Sequence, residues 1–305
     1  MGPDFLYIGC QKAGSRWLYD QLAAHEAFWM PPTKEFHYFN GYEVAGRVVR
    51  GLYKAQRAES TASRKRGFLK KLLTRKDTSR RQAFIDQVRA GDGGKMNLDW
   101  YASLFRWKGD RLSGDITPDY AILSTHTISL ITSRFPQLRC ILFVRDPVAR
   151  VWSYACMAQR RGERRVPQDW PEMVSFLRDE RVAARSYPSR IFARWRDHVP
   201  ADRIFVGFFD QLASQPDVLR ADVLRFLGAG SSPPGIDAGL DQKRTQARIP
   251  CPPDMQQRLA DWFADELHAC AATFGGPATL WPLRYGLTSG AAPAGGRSTG
   301  DRVLW

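Results

Sequence analysis

The chain has 305 residues, 44% of them apolar, and 45 Lys or Arg against 31 Asp or Glu leave a net charge of +14. That length holds one large α/β domain or two small ones, and no apolar run approaches the roughly 18 residues of a membrane-spanning helix. The charge selects anionic partners: nucleic acid, an anionic membrane, a sulfated or phosphorylated ligand, or a multiply charged nucleotide.

Phe5 to Ile8 is a short apolar run that reads as a buried strand, broken at Gly9. The chain enters this strand directly, so no signal peptide or membrane stem is expected and a cytoplasmic location follows. An amphipathic helix is expected from about Ser15 to His25, with Leu18 and Leu22 inward. Between strand and helix lies a loop with Lys12, Gly14, Ser15 and Arg16. Unpaired N–H groups at a helix start, beside two full positive charges, form an anion site. The loop is not a Walker A motif, because Lys12 precedes Gly14 and Ser15 follows it directly. An ordinary surface turn is the competing reading.

Beyond Pro31 and Pro32 comes Lys34-Glu35-Phe36-His37-Tyr38-Phe39. If this stretch is extended, Glu35 and His37 share one face and Phe36 and Tyr38 the other. A carboxylate and an imidazole together can move a proton, although a solvated strand face would look the same. Residues 41–95 form a distinct region. From Arg47 to Arg81 there are thirteen Lys or Arg against only Glu59 and Asp77. Val48, Val49, Leu52 and Tyr53 suit one helix face there, and Phe68, Leu69, Leu72 and Leu73 another. A solvated helical insertion, a lid gripping an acceptor, and a peripheral contact with an anionic membrane all fit. Nucleic acid is not expected as a partner, since no zinc-finger, RRM or homeodomain signature accompanies the charge.

Gly114 to Tyr120 reads GDITPDY, and Thr117-Pro118 suits a turn after a short strand. A helix follows with Ile128, Ile131 and Phe135 on one face, stopped by Pro136. Leu138 to Val144 is the clearest buried strand. It ends in Arg145-Asp146-Pro147, with Asp146 an N-cap and Pro147 the first helical residue. The next helix turns Val148, Val151 and Trp152 inward and carries Ser153. A guanidinium at a strand's carboxyl end and a hydroxyl two helical turns on suit one phosphate. Residues 160–200 read as irregular and helical, with Trp195 inward, before a buried strand from Ile204 to Phe209. A helix from about Pro216 to Leu227 ends at Gly228. Lys243 and Arg244 follow a Pro/Gly/Ser stretch. One amphipathic helix is expected from Pro252 to Gly275, carrying Met255, Leu259, Phe263, Leu267, Cys270 and Phe274. The domain is expected to span 1–287, with 288–305 a low-complexity flexible tail. The five cysteines show no C-x-x-C spacing, so neither a zinc site nor a disulfide framework is expected.

Four segments carry a family resemblance. The run from Gly9 to Leu18 resembles the 5′-phosphosulfate loop G-x-x-K-x-G-[ST]-x-x-L of sulfotransferases that use 3′-phosphoadenosine 5′-phosphosulfate (PAPS). Arg145 to Ser153 resembles their 3′-phosphate motif R-D-P-x-x-R-x-x-S. Lys34 to Phe39 resembles the K-E-x-H-[FY]-F segment of heparan sulfate-type enzymes. Gly114 to Tyr120 resembles G-E-x-[TS]-P-x-Y, which borders the acceptor cleft, with Asp115 in place of the usual Glu. The resemblance implies an α/β, P-loop-like three-layer domain, a mainly parallel central sheet flanked by helices. It implies sulfonate transfer from PAPS to an acceptor hydroxyl, on a carbohydrate, glycolipid or small metabolite, with 3′-phosphoadenosine 5′-phosphate (PAP) as product. The implied catalytic residues are Glu35 as base, His37 as its assistant, and Lys12. The implied cofactor residues are Lys12, Gly14, Ser15, Arg16, Trp17, Arg145 and Ser153, with Lys243 and Arg244 on a loop that closes over the donor. No metal is implied, since Lys and Arg do the neutralising that magnesium does in kinases. The rival readings are a P-loop kinase or NTPase and a non-catalytic binder of nucleotides or polyanions.

Overall fold

The computed structural model describes residues 2–43, 75–231 and 249–287. Lys243, Arg244, both apolar faces of the basic stretch and the tail from 288 lie outside the described residues. Four strands form one parallel sheet: β1 (Phe5–Gly9), β2 (Gly114–Ile116), β3 (Arg139–Val144) and β4 (Ile204–Phe208), in the order β2-β1-β3-β4. Phe5 pairs with Gly114 on one side and Arg139 on the other, and Cys140 pairs with Ile204. Covered on both faces, β1 and β3 are unbroken apolar runs rather than alternating ones. That is why these two were readable from sequence. β2 was expected only as the short strand before a turn; with three residues and a central Asp115, it has no hydropathy signature.

The helices in order are α1 (Ser15–Ala24), α2 (Tyr38–Glu43), α3 (Arg75–Ala90), α4 (Leu98–Ser103), α5 (Thr125–Arg134), α6 (Pro147–Arg160), α7 (Trp170–Arg178), α8 (Glu180–Ala183), α9 (Pro188–Arg196), α10 (Phe209–Ser214), α11 (Pro216–Leu227), α12 (Pro253–Trp262), α13 (Ala264–Phe274) and α14 (Leu280–Arg284). Among the described residues none is long and apolar enough to cross a membrane. The cap predicted for α6 is present: Asp146 Oδ1 accepts from the N–H of Val148 at 2.9 Å. Asp146 Oδ2 also accepts from Tyr285 and Arg284, and Arg284 reaches on to Asp210, so the C-terminal helix is tied to the start of α6.

Two expectations change. The single helix from Pro252 to Gly275 is two helices, α12 and α13, separated at Phe263 (φ −99°, ψ 13°). Phe263 is itself buried, so the apolar pattern continues across the break. Trp152 is half-buried rather than inward, and its indole N–H donates to the carbonyl of Ile249. Trp195 is fully buried, as expected.

The core is centred on β3. Phe143 meets Tyr7, Trp17 and Phe205 with ring centroids 5.7, 6.2 and 6.4 Å apart. The chain leaves β1 towards β2 on one side, then crosses to β3 on the other. In such sheets the crevice lies at the strands' carboxyl ends where the order reverses. The loops after β1, β2 and β3 end at that edge, and they hold the residues of interest.

Candidate active site

The loop between β1 and α1 is built by backbone conformation. Gly14, the N-cap of α1, has φ 109° and offers no side-chain acceptor to the first turn. A side chain on Gly14 would run into Leu212. Lys12 sits at φ 70°, a left-handed conformation uncommon for a residue with a Cβ. Its Nζ lies 3.7 Å from Met157 Sδ on α6, and among the described residues no carboxylate pairs with it. Burial, together with the charges of Arg160, Arg145 and Arg161, pulls the Lys12 ammonium down to about 8. Arg161 is paired with Glu163 at 3.8 Å, whereas the Lys12 ammonium, half-buried among these guanidinium charges, suits a multiply charged anion. Ser15 is half-buried and Arg16 exposed. Trp17 turns its ring into the core against Phe143, so only its backbone faces this edge of the loop.

Arg145 joins this loop to the second motif. Its Nη1 donates to the carbonyl of Lys12 at 2.9 Å, across 133 residues of sequence. Its guanidinium carbon stands 4.1 Å from the centroid of Phe209. Ser153 lies on the second turn of α6 and is half-buried. Arg150 is different: it is wholly buried, and its Nη2 donates to Ser186 Oγ at 2.5 Å. Burial lowers its pKa to about 10, which still leaves it charged at neutral pH. It acts as a fixed charge inside the protein rather than as a surface contact.

At the end of β2 the Lys34 to Phe39 segment is not extended. Glu35 (φ 66°) and His37 (φ 52°) both adopt left-handed conformations, with Phe36 buried between them. Three interactions impose this shape. Phe36 packs against Phe84 and Phe105 at 5.8 and 5.9 Å. Its N–H points to Asp115 Oδ1 at 3.5 Å, and the N–H of His37 to Thr117 Oγ1 at 3.4 Å. Asp115 itself does not line a cleft but is only 2% exposed. It accepts from the hydroxyls of Tyr101 (3.1 Å), Tyr120 (2.5 Å) and Thr117 (2.7 Å). The residue that resembled a cleft border is therefore an internal anchor for the segment beside it.

Glu35 and His37 still meet, as expected, but by this turn rather than by strand alternation. His37 Nε2 lies 3.4 Å from Glu35 Oε2, and Lys34 Nζ donates to Glu35 Oε1. Burial opposes ionisation of Glu35, but these two partners outweigh it and hold the carboxyl down at about 2. On its other side His37 Nδ1 lies 3.4 Å from Asp119 Oδ2, and Arg185 Nε donates to Asp119 Oδ1 at 2.9 Å. Lys12, Glu35 and His37 are the non-glycine residues with positive φ among the described residues.

Asp119, Arg185, Arg160 and Arg161 were not singled out in the sequence. For Arg160 and Arg161 a signal existed: they lie three and four residues beyond Met157, on the helix face that meets Lys12. For Arg185 there was none, since its pairing with Asp119 spans 66 residues.

No curated protein sequence matches the chain significantly. Among solved structures, a sulfotransferase from Alicyclobacillus acidocaldarius is similar with a TM-score of 0.62 at 18% identity, covering 92% of this chain and 99% of that one. The sulfotransferase domain from the curacin biosynthetic pathway is similar with a TM-score of 0.51 at 16% identity, covering 87% of this chain and 98% of that one. At these identities the likeness speaks for the fold. The sulfotransferase family itself matches residues 3–232, a span that contains the loop after β1, the turn after β2 and the Arg145 motif after β3. The chain therefore belongs to the sulfotransferase family, and its activity is transfer of a sulfonate group to an acceptor.

Proposed function

We propose that the sulfonate donor is PAPS and that the acceptor is a hydroxyl on a carbohydrate, glycolipid or small metabolite. The observation that carries this reading is the hydrogen bond from Arg145 to the carbonyl of Lys12, which joins the two phosphate-type motifs into one cationic surface. PAPS would supply an activated sulfonate on its 5′-phosphate. Lys12 and the backbone of Gly14, Ser15, Arg16 and Trp17 then hold the 5′-phosphate end, and Arg145 with Ser153 holds the 3′-phosphate. Glu35 receives the acceptor proton, and His37 orients it. The roles of Lys243 and Arg244 as a closing loop belong to the same proposal.

The acceptor side is proposed to carry negative charge. The basic stretch from Arg47 to Arg81 lies in sequence between the Glu35 and Asp115 segments. The helix that carries its last residues, α3, rests Phe84 on Phe36, between Glu35 and His37. That contact supports a lid or rim over the acceptor. A cytoplasmic setting is proposed as well, supported by five cysteines that are all free.

The donor is tested by calorimetry in EDTA. PAP is expected to bind about 10- to 100-fold more tightly than AMP, the worth of one charge-assisted phosphate site. Equal affinities would overturn the assignment of Arg145 and Ser153. Acceptors are found by incubating hydroxyl-compound libraries with PAPS and reading the mass gain of one sulfonate group.

A further inference from the structure

The imidazole of His37 stands between two carboxylates that come from different parts of the chain. Nε2 faces Glu35 and Nδ1 faces Asp119, each at 3.4 Å. Neutral histidine has one N–H and one lone pair. Either neutral tautomer would aim its lone pair at a carboxylate oxygen, so only the doubly protonated ring satisfies both sides. Asp119 is held for this by Arg185, while Asn40 Nδ2 donates to its backbone carbonyl at 2.9 Å. The turn Pro118–Ile122 presents it directly after β2.

We infer that Asp119 is a positioning residue for sulfonate transfer, which keeps His37 as an imidazolium so that His37 orients Glu35 and does not itself take the acceptor proton. The inference deepens the reading given above and rests on it. In the step it describes, the acceptor oxygen forms a bond to sulfur. The sulfur–oxygen bond to the 5′-phosphate breaks, with its electron pair going to the phosphate. The hydroxyl proton passes to Glu35 and then to water, which reaches this carboxylate because its side chain is 39% exposed. His37 keeps both of its protons throughout.

The groups facing His37 are Glu35 on its own segment, Asp119 on the turn after β2, and Asp115 on β2. Lys34 and Arg185 are the cationic partners of the first two. Burial works against the imidazolium, but the hydrogen bond it donates to Glu35 and the charges of Asp119, Glu35 and Asp115 outweigh it and raise the pKa above the ordinary histidine value. With Glu35 held low and His37 held high, the acid side of the rate profile should be flat where the protein is folded. Activity should then fall as rising pH removes the His37 charge.

The test is imidazole nitrogen NMR on the whole protein, free and saturated with PAP, with His37 assigned among the five histidines by a His37→Asn variant. Wild-type His37 is expected to show both N–H protons and to titrate above the ordinary histidine value. Asp119→Asn should move its midpoint to lower pH, and Asp119→Glu should restore it. With PAPS and an acceptor found in the mass screen, kcat should fall with rising pH at the His37 midpoint. Asp119→Asn should shift that fall together with the midpoint and lower kcat about 10- to 100-fold, part of a general acid–base contribution, with PAP affinity held. A neutral His37 in the wild type, a midpoint unmoved by Asp119→Asn, or a kcat that rises through the His37 midpoint would each overturn the inference. If Asp119→Asn does not fold, the wild-type spectrum alone decides between the cation and a neutral tautomer. Failure to bind PAP would instead sink the donor assignment, and the His37 titration would then be read in the free protein.

Discussion

Glu35→Gln is expected to lower kcat by about 10²- to 10⁴-fold, the usual range for removing a general base. A carboxylate held at about 2 is a weak base. It suffices here because the hydroxyl proton becomes strongly acidic only as its oxygen bonds to sulfur, so a strong base is never required. Gln keeps the shape and removes the capacity to take the proton. It also leaves Lys34 and His37 facing a neutral amide, which costs stability but removes none of the residues proposed to hold the phosphates. PAP affinity should therefore stay within about twofold, the signature of an interaction made only in the transition state. Turnover kinetics and calorimetry on the same preparation check both halves. Near-normal turnover with a verified acceptor would remove Glu35 as the base.

Lys12→Ala is expected to affect both binding and rate. Its ammonium has no carboxylate partner among the described residues, so its charge is available to the leaving phosphate. Loss of one well-placed stabilising donor typically costs about 10²- to 10³-fold in kcat. The lowered pKa supplies a second signature. In the free protein Lys12 loses its proton as pH rises through about 8. A bound phosphate favours the charged form, so binding above that pH must take up a proton. Wild-type PAP affinity should decline above pH 8, and calorimetry in buffers of different ionisation enthalpy should show the proton uptake. In Lys12→Ala the affinity should be lower and flat across the same range. A wild-type affinity that does not change with pH would place the Lys12 ammonium away from the phosphates.

The parts of this protein that could be read from sequence are those whose physics is local. β1, β3 and β4 are continuous apolar runs, and the start of α6 is a capped Asp-Pro junction, so their positions could be foreseen. The break at Phe263 could not, because a buried apolar residue continues the helical pattern whether or not the helix is interrupted there. The Glu35–His37 pairing was anticipated from an alternation that the backbone does not adopt. What bends it is the packing of Phe36 on Phe84 and Phe105 and the N–H groups of Phe36 and His37 reaching Asp115 and Thr117, contacts across 79 and 80 residues. Asp119 and Arg185 were invisible for the same reason, since each derives its role from a partner distant in sequence. Motif spacing identified the loops, whereas the charge relations between loops required the fold.

Left-handed backbone at Lys12, Glu35 and His37 sets the interests of the fold against those of the chemistry. Each such residue holds back about 1–3 kcal/mol of conformational energy, and glycine would release it at any of the three. Under selection for thermal resistance alone, Lys12, which pairs with no carboxylate among the described residues, should drift towards glycine and leave the enzyme sturdier and inert, whereas at Glu35 and His37 the lost ion pairs with Lys34 and Asp119 work against that release. Consensus or library-based stabilisation of this scaffold would thus need these sites frozen, and the search for stabilising changes directed elsewhere.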